Sequence, residues 1–351
     1  MTCKIIPIFI PHQGCSNRCV FCNQYRTVGG QPEEITETFF EQTVSAHLRT
    51  LKHNGIRRQI AFYGGNFTGM DEAYQTKLLR MANAFIQKGL LHSVRISTRP
   101  DCINSAQIDF LRSFHVATVE IGAQSLSDDV LLLAGRGHSS ADVIRATQQL
   151  RAKGMETGLH LMVGLPGDNL MQFSSTIEKA IGLKPDMVRI HPTIVFQDTA
   201  LAQEYFRGAY KPLSMLDAID YCKYAVLEFE KAHIPVIRLG LQTTPEMEAP
   251  GAILAGPYHP AFGSLVQEAI FLDMASKLLT SAQSRKEIAF HVSIKDEPNL
   301  RGHGNINIKK LKENFALNKI DIYANNDQER GSLMLVMDGR TSRINKCDLI
   351  C

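Results

Sequence analysis

The sequence predicts an α/β fold, a partial (β/α)6 barrel followed by a small C-terminal α+β appendage. Three observations carry this. Apolar runs of strand length alternate with helix-length segments from residue 4 to residue 190, and that alternation implies parallel strands joined by right-handed crossovers. The first 240 of the 351 residues suit a barrel of such units in size. Beyond residue 240 the rhythm breaks into a smaller mixed pattern. The expected domains are therefore 1–240, the barrel, and 241–351, a helix and a small α+β region suited to act as a substrate lid.

The elements follow in order. Lys4 to Ile10 is a short apolar run that reads as a buried strand. Pro32-Glu33-Glu34 opens a helix carrying Phe39, Phe40, Val44 and Leu48, and Gly55 stops it. Gln59 to Tyr63 is a strand running into Gly64-Gly65. Asp71 caps a helix through Leu78, Leu79 and Phe85 that ends at Gly89. Val94 to Ser97 is a strand stopped by Arg99-Pro100; Asn104 to Phe114 is a helix and Val116 to Ile121 a strand. Ser140 caps the helix Asp142–Lys153, and Gly154 closes it. Leu159 to Val163 is a strand halted by Gly164-Leu165-Pro166, Leu170 to Gly182 a helix and Met187 to Ile190 a strand. In the appendage, Ala261 to Leu279 is a long helix. A strand over Glu287–Ser293, a helix over Ile306–Phe315 and strands over Lys319–Tyr323 and Ser332–Met337 follow.

Composition narrows the class. A hydrophobic content of 44% is that of a globular protein, and a formal charge of +3, from 38 basic and 35 acidic residues, is too small a bias to argue for a nucleic-acid partner. No apolar run approaches bilayer length and the N-terminus lacks a signal-peptide pattern, so no membrane association and a cytoplasmic location are expected. Eight cysteines then need an explanation, because disulfides rarely persist in that compartment. Cys3, Cys102, Cys222, Cys347 and Cys351 are scattered and suit small core or tail positions.

Cys15, Cys19 and Cys22 are different. They fall on one loop directly after the first strand, at the end of the barrel where chemistry gathers. Three thiolates there can ligate three irons of a four-iron cluster and leave the fourth iron open. A zinc site with His12 or Cys3 as fourth ligand, or three unligated thiols, are the other readings that spacing alone allows.

The string Ile10-Pro11-His12-Gln13-Gly14-Cys15-Ser16-Asn17-Arg18-Cys19-Val20-Phe21-Cys22-Asn23 resembles the signature loop of the radical S-adenosylmethionine (SAM) superfamily, including the aromatic Phe21 before the last cysteine. Further along stand Tyr63-Gly64-Gly65-Asn66, Ser97-Thr98-Arg99-Pro100-Asp101, Gln124-Ser125, Arg136-Gly137-His138 and His160-Leu161-Met162-Val163-Gly164-Leu165-Pro166-Gly167, each after an expected strand. In this order they resemble most closely the radical SAM domain of the Elongator catalytic subunit. More distantly they resemble oxygen-independent coproporphyrinogen oxidase and its heme-chaperone relatives. The resemblance spans roughly residues 4–240.

What the resemblance implies is specific. A four-iron four-sulfur cluster would sit on Cys15, Cys19 and Cys22, with its open iron chelated by SAM, whose reductive cleavage yields a 5′-deoxyadenosyl radical; the hard chemistry then belongs to the cofactor. Gly64 and Gly65, with Asn66, would meet the amino group of SAM. Gln124 and Arg136 would hold its ribose and carboxylate, Phe9 and Phe21 would border it, and Gly164, Leu165 and Pro166 would cradle the adenine. Ser97 and His160 stand where the coproporphyrinogen-oxidase relatives carry acidic residues, and His160 agrees with the Elongator pattern. No side chain is assigned a catalytic role. Elongator's cysteines are more widely spaced, and its acetyltransferase domain has no counterpart here, so its reaction does not transfer.

The expectation is therefore a radical SAM enzyme, an oxidoreductase or transferase that abstracts hydrogen from an unidentified substrate with tRNA among the candidates. It would be reduced by a donor such as flavodoxin or ferredoxin. A coproporphyrinogen-oxidase-like enzyme, a non-catalytic heme chaperone and a zinc-bound RNA-binding protein are the alternatives. In the appendage, Gly256-Pro257-Tyr258-His259-Pro260 suits a lid, and Lys309, Lys310 and Lys312 a phosphate contact.

Overall fold

The computed structural model describes residues 3–16, 18–29, 34–50, 56–280 and 288–350. Asn17, Pro32, Glu33, Gly55, Glu287 and Cys351, all used above, lie outside them. The chain forms two compact units. The first holds residues 1–213 and 241–258, the second 214–240 and 259–351. The boundary expected at residue 240 is thus crossed in both directions, with 214–240 belonging to the second unit and 241–258 to the first.

The first unit begins with β1 (Cys3–Phe9), α1 (Gln24–Val28), α2 (Glu37–Thr50), β2 (Arg57–Tyr63), α3 (Glu72–Gln87), β3 (Ser93–Thr98) and α4 (Ser105–Ser113). It continues through β4 (Val116–Gln124), α5 (Asp128–Leu133), α6 (Ser140–Ala152), β5 (Glu156–Val163), α7 (Leu170–Gly182) and β6 (Met187–Pro192). Strands β1 to β6 lie side by side in chain order, each parallel to the next. This is the partial barrel expected from the alternation.

Helices cover one face of these strands and an inner layer of side chains fills the other, which is why β2 can bury five consecutive residues, Arg58 to Phe62. The other face is polar. Gln59, Tyr63, Arg95, Glu120 and Arg189 bond to one another across it. Pairing of Ile5, Pro7 and Phe9 with Gln59, Ala61 and Tyr63 places those β1 residues on the same inner face. Their neighbours Ile6, Ile8 and Ile10 are at most 1% exposed against the helices. Local caps match the sequence chemistry. Asp71 accepts from the amides of Ala73 and Tyr74. Helix α6 starts with a capping box from Ser139 and Asp142, so the cap is one residue earlier than expected.

The chain then runs through β7 (Val195–Phe196), α8 (Ala200–Phe206), α9 (Met215–Lys231), β8 (Val236–Leu239), α10 (Pro245–Glu248), β9 (Ile253–Ala255) and α11 (Phe262–Thr280). In the first unit, β7 pairs antiparallel with β9, Thr244 Oγ1 donates to Arg26 O at 2.6 Å, and Tyr258 donates to Thr243 at 3.1 Å. Residues 241–258 are therefore built into this unit by pairing and hydrogen bonds.

The second unit adds β10 (Ile288–Ser293), α12 (Glu297–Arg301), α13 (Ile306–Phe315), β11 (Asp321–Asn325), β12 (Ser332–Met337) and β13 (Arg340–Asn345) to α9, β8 and α11. Its sheet runs β11-β10-β12-β13, with β10 and β11 parallel and the other pairs antiparallel. Strand β13 was not anticipated. It closes a hairpin through Asp338-Gly339, both at positive φ (46° and 73°), the geometry of a tight two-residue turn. Helix α11 buries Phe262, Val266, Ile270, Phe271 and Met274. Among the described residues, no helix is long and apolar enough to cross a membrane.

Candidate functional site

The cysteine loop is held backbone to backbone against the turn that follows β2. Ile10 N donates to Tyr63 O at 2.8 Å, His12 N to Gly64 O at 3.0 Å, and Asn66 N to Gln13 O at 2.8 Å. The approach is so close that only glycine fits. A Cβ on Gly65 would lie 2.5 Å from Ile10 O and 2.7 Å from Gln13 O, and one on Gly14 would lie 2.2 Å from Asn66 O. Gly65 therefore serves the loop of this chain; Gly64, at φ +86°, faces Val28.

Asn66 is 1% exposed and uses its whole amide. Its Nδ2 donates to Gly14 O at 2.8 Å and to Cys102 Sγ at 3.2 Å. Its Oδ1 accepts from Thr98 Oγ1 at 2.7 Å and from Arg99 N at 3.0 Å. The side chain ties the cysteine loop to the end of β3, a role that sequence reasoning missed and that its position after Gly-Gly gives no sign of.

The second half of the loop is held by other elements. Val20 N donates to Ala134 O at 3.1 Å just past α5, and Leu201 N on α8 donates to Val20 O at 2.8 Å. Phe21 packs on Val130, Ala134 and Leu165. Buried Leu165 thus supports the loop through this apolar cluster, and Pro166 beside it is buried as well.

Cys19 is buried, with Cys15 and Cys22 half-buried. Burial pushes the Cys22 thiol up to about 12, and the neighbouring Cys19 and Cys15 push it the same way. Burial first and then Cys19 also raise Cys15. Two thiols that resist ionising, Cys15 and Cys22, beside the buried Cys19 are a soft donor set that a cationic group would relieve. Among the described residues, no three His, Cys, Asp or Glu side chains converge as a site for a single ion; a four-iron cluster takes one thiolate on each of three irons. The two residues considered as a fourth zinc ligand are engaged elsewhere. His12 Nε2 accepts from Gln24 N at 3.0 Å, and Cys3 Sγ meets Gln59 Oε1 at 3.4 Å at the far end of β1.

Beside Cys19 the end of β4 supplies unsatisfied polar atoms. Arg136 Nη1 donates to Cys19 Sγ at 2.8 Å and Nη2 to Gly122 O at 2.6 Å, while its buried Nε has no partner. Gln124 sits in the left-handed region at φ +66°, with its buried Oε1 also unpartnered. A Cβ on Gly122 would lie 3.2 Å from Gln124 Nε2 and 3.4 Å from Arg136 Nη2, so the two side chains share one space. A charged donor and an acceptor left open beside the cysteines fit the carboxylate and hydroxyl groups of SAM.

The other expected residues are placed less directly. Phe9 is 41% exposed on the inner face. Ser97 pairs in register with Glu120, half-buried. His160 bonds His191, Nε2 to Nδ1, at 2.9 Å, and pairs in register with Arg189. Burial, then Arg189, pull its pKa down to about 4, so it is neutral near pH 7. Gly164 lies at φ +77° with Leu213 over it, donates to Asp168 at 2.9 Å and accepts from Tyr210 at 2.6 Å.

Below them lies the Glu120 network. Glu120 accepts from Arg95 at 2.7 Å and Tyr63 at 2.9 Å and pairs with Arg189 at 2.6 Å. Burial works to raise its pKa, but the charges of Arg189 and Arg95 outweigh burial and hold it below the usual carboxylate range.

Comparison with known proteins agrees with this architecture. Residues 9–180 match the radical SAM superfamily and residues 185–271 match the radical SAM C-terminal domain, so the likeness runs past residue 240. A tRNA uridine(34) acetyltransferase of Methanocaldococcus jannaschii is 37% identical over 199 residues, covering 51% of this chain and 37% of that protein. The chain thus matches little more than a third of that relative's length. The heme chaperone HemW of Bacillus subtilis is 25% identical over 185 residues, covering 52% of this chain and 48% of that one. The solved structure of Methanocaldococcus infernus Elp3 superposes with a TM-score of 0.60 at 22% identity, covering 76% of this chain and 62% of that chain, which speaks to the fold. With both matched regions in sequence and the cysteine loop at the end of β1, the chain belongs to the radical SAM superfamily of enzymes.

Proposed function

We propose that this chain holds a four-iron four-sulfur cluster on Cys15, Cys19 and Cys22, cleaves SAM reductively and abstracts hydrogen from an RNA substrate. The observation that carries the cofactor reading is Arg136. One guanidinium joins Cys19 to the β4 backbone, stands with its Nη2 beside Gln124, and keeps its buried Nε–H without a partner. When bound, the cluster and SAM supply the one-electron cleavage and the radical.

The chain's own residues do the rest. The Gly14–Asn66 contact fixes where the cysteines stand. Arg136 and Gln124 present a charged donor and an acceptor to the amino-acid and ribose groups. Phe21, Val130, Ala134 and Leu165 keep water from the loop on the α5 side. A small acidic electron carrier such as flavodoxin or ferredoxin would supply the electron.

The RNA part rests on the relatives named for tRNA uridine(34) acetylation, with which this chain shares the barrel. The likeness to a heme chaperone supports a non-catalytic reading of the same loop. Anaerobic, dithionite-reduced protein incubated with SAM, with and without bulk tRNA, separates them. The proposal expects 5′-deoxyadenosine release that rises when tRNA is added. Release that tRNA leaves unchanged would move the substrate elsewhere, and no release at all would favour the chaperone.

A further inference from the structure

We infer that His138 is a third residue facing the cofactor, its Nδ1 accepting a hydrogen bond from a hydroxyl or ammonium group of the bound nucleoside sulfonium. The inference rests on the reading of this site as a SAM site and extends it to a residue that the Arg136-Gly137-His138 motif contains but to which it gives no role.

His138 is 8% exposed, on the short segment between α5 and α6. Its Nε2 stands 3.3 Å from Ala123 O. A carbonyl oxygen only accepts, so Nε2 carries the hydrogen and Nδ1 keeps its lone pair. That Nδ1 is buried and has no partner. Burial and the nearby charges of Arg136 and Arg99 pull the imidazole down to about 4, so the ring stays neutral and the lone pair stays available near pH 7. Burying an acceptor with nothing to accept from is costly, which is why such atoms cluster where a ligand completes them.

Position makes the case stronger. Three consecutive residues at the end of β4 each touch the group. Gly122 O takes Arg136 Nη2, Ala123 O takes His138 Nε2, and Gln124 brings its own open Oε1. The three unsatisfied atoms, Gln124 Oε1, Arg136 Nε and His138 Nδ1, are thus two acceptors and one charged donor on side chains that belong to or bond the last three positions of β4, with Arg136 also on Cys19. That set complements a ligand that offers an anionic carboxylate next to ammonium or hydroxyl donors. It does not complement a purely anionic ligand such as phosphate, which would leave both acceptors open.

The test uses two substitutions that separate the two ring nitrogens. In His138→Asn the amide group lies where Nδ1 lies, and in His138→Gln where Nε2 lies. Full-length protein is loaded anaerobically, iron per chain is measured, and SAM affinity is read by equilibrium dialysis at matched iron content. The inference expects His138→Asn to stay within about two-fold of wild type, and His138→Gln to weaken SAM by about five- to ten-fold, the range of one hydrogen bond. If the bond to Ala123 O is all that matters, the order reverses, and that result or equal affinities would overturn the inference. Wild-type protein that carries its iron but does not bind SAM would instead overturn the cofactor reading beneath it.

Discussion

Replacing Asn66 by Asp changes one atom of the contact that joins the cysteine loop to the barrel. The acceptor side is preserved, since Thr98 Oγ1 and Arg99 N can still donate to a carboxyl oxygen at 2.7 and 3.0 Å. The donor side is lost. An oxygen now faces Gly14 O across 2.8 Å and the Cys102 sulfur across 3.2 Å, in a site where the side chain is 1% exposed. A buried pair left unmade in this way costs about 1–3 kcal/mol. The neighbouring backbone bonds at Ile10, His12 and Gln13 remain, so the loop is loosened, not released. The assay is iron content after anaerobic purification together with the rate at which a chelator strips the iron. Asn66→Asp should lose its cluster at least several-fold faster, while SAM affinity per loaded molecule stays near wild type. Normal cluster retention with lost SAM affinity would refute this, and would return Asn66 to the direct SAM contact suggested by its place in the motif.

Three further outcomes follow from the same geometry. Cys102→Ala should keep its iron, because Cys102 only accepts from Asn66 and the loop bond to Gly14 survives; colourless protein would make Cys102 a ligand. Gly65→Ala should cut cluster content to half or less, since the new methyl meets two backbone oxygens of the loop at 2.5 and 2.7 Å, and full iron content would show that the loop can yield. Glu120→Gln should lower stability by about 3–5 kcal/mol in denaturant titration, because two guanidinium groups lose their buried counter-charge. A midpoint near wild type would show that solvent reaches the network.

Much of this was readable in the chain because parallel barrels repeat one rule. Each apolar run between amphipathic helices had to be a strand, and each of β1 to β6 overlaps its expected range. The three cysteines were singled out by their spacing on one loop, and Gln124 and Arg136 by the family resemblance; the structure brings Arg136 onto Cys19 and Gln124 beside Arg136. The side-chain role of Asn66 was not legible for a physical reason. Its four partners come from the cysteine loop, the end of β3 and Cys102, and no spacing along the chain encodes that convergence. The same holds for residues 241–258, whose strand β9 pairs with β7 some sixty positions earlier. Strand β13 had a local signal, Asp338-Gly339 after an apolar run, and could have been found. Lys309 and Lys310 are exposed on α13, and nothing in their surroundings distinguishes a phosphate contact from ordinary solvation.

The claim on which everything else depends is that Cys15, Cys19 and Cys22 carry an iron–sulfur cluster that cleaves SAM. The most direct measurement is metal and sulfide analysis of anaerobically purified protein, followed by reduction in the presence of SAM, for wild type and for single alanine variants of the three cysteines. The expected result is brown wild-type protein with close to four irons per chain, converting SAM to 5′-deoxyadenosine and methionine, and three colourless variants that do neither. Colourless wild-type protein holding stoichiometric zinc, or a cysteine variant that still cleaves SAM, would contradict it.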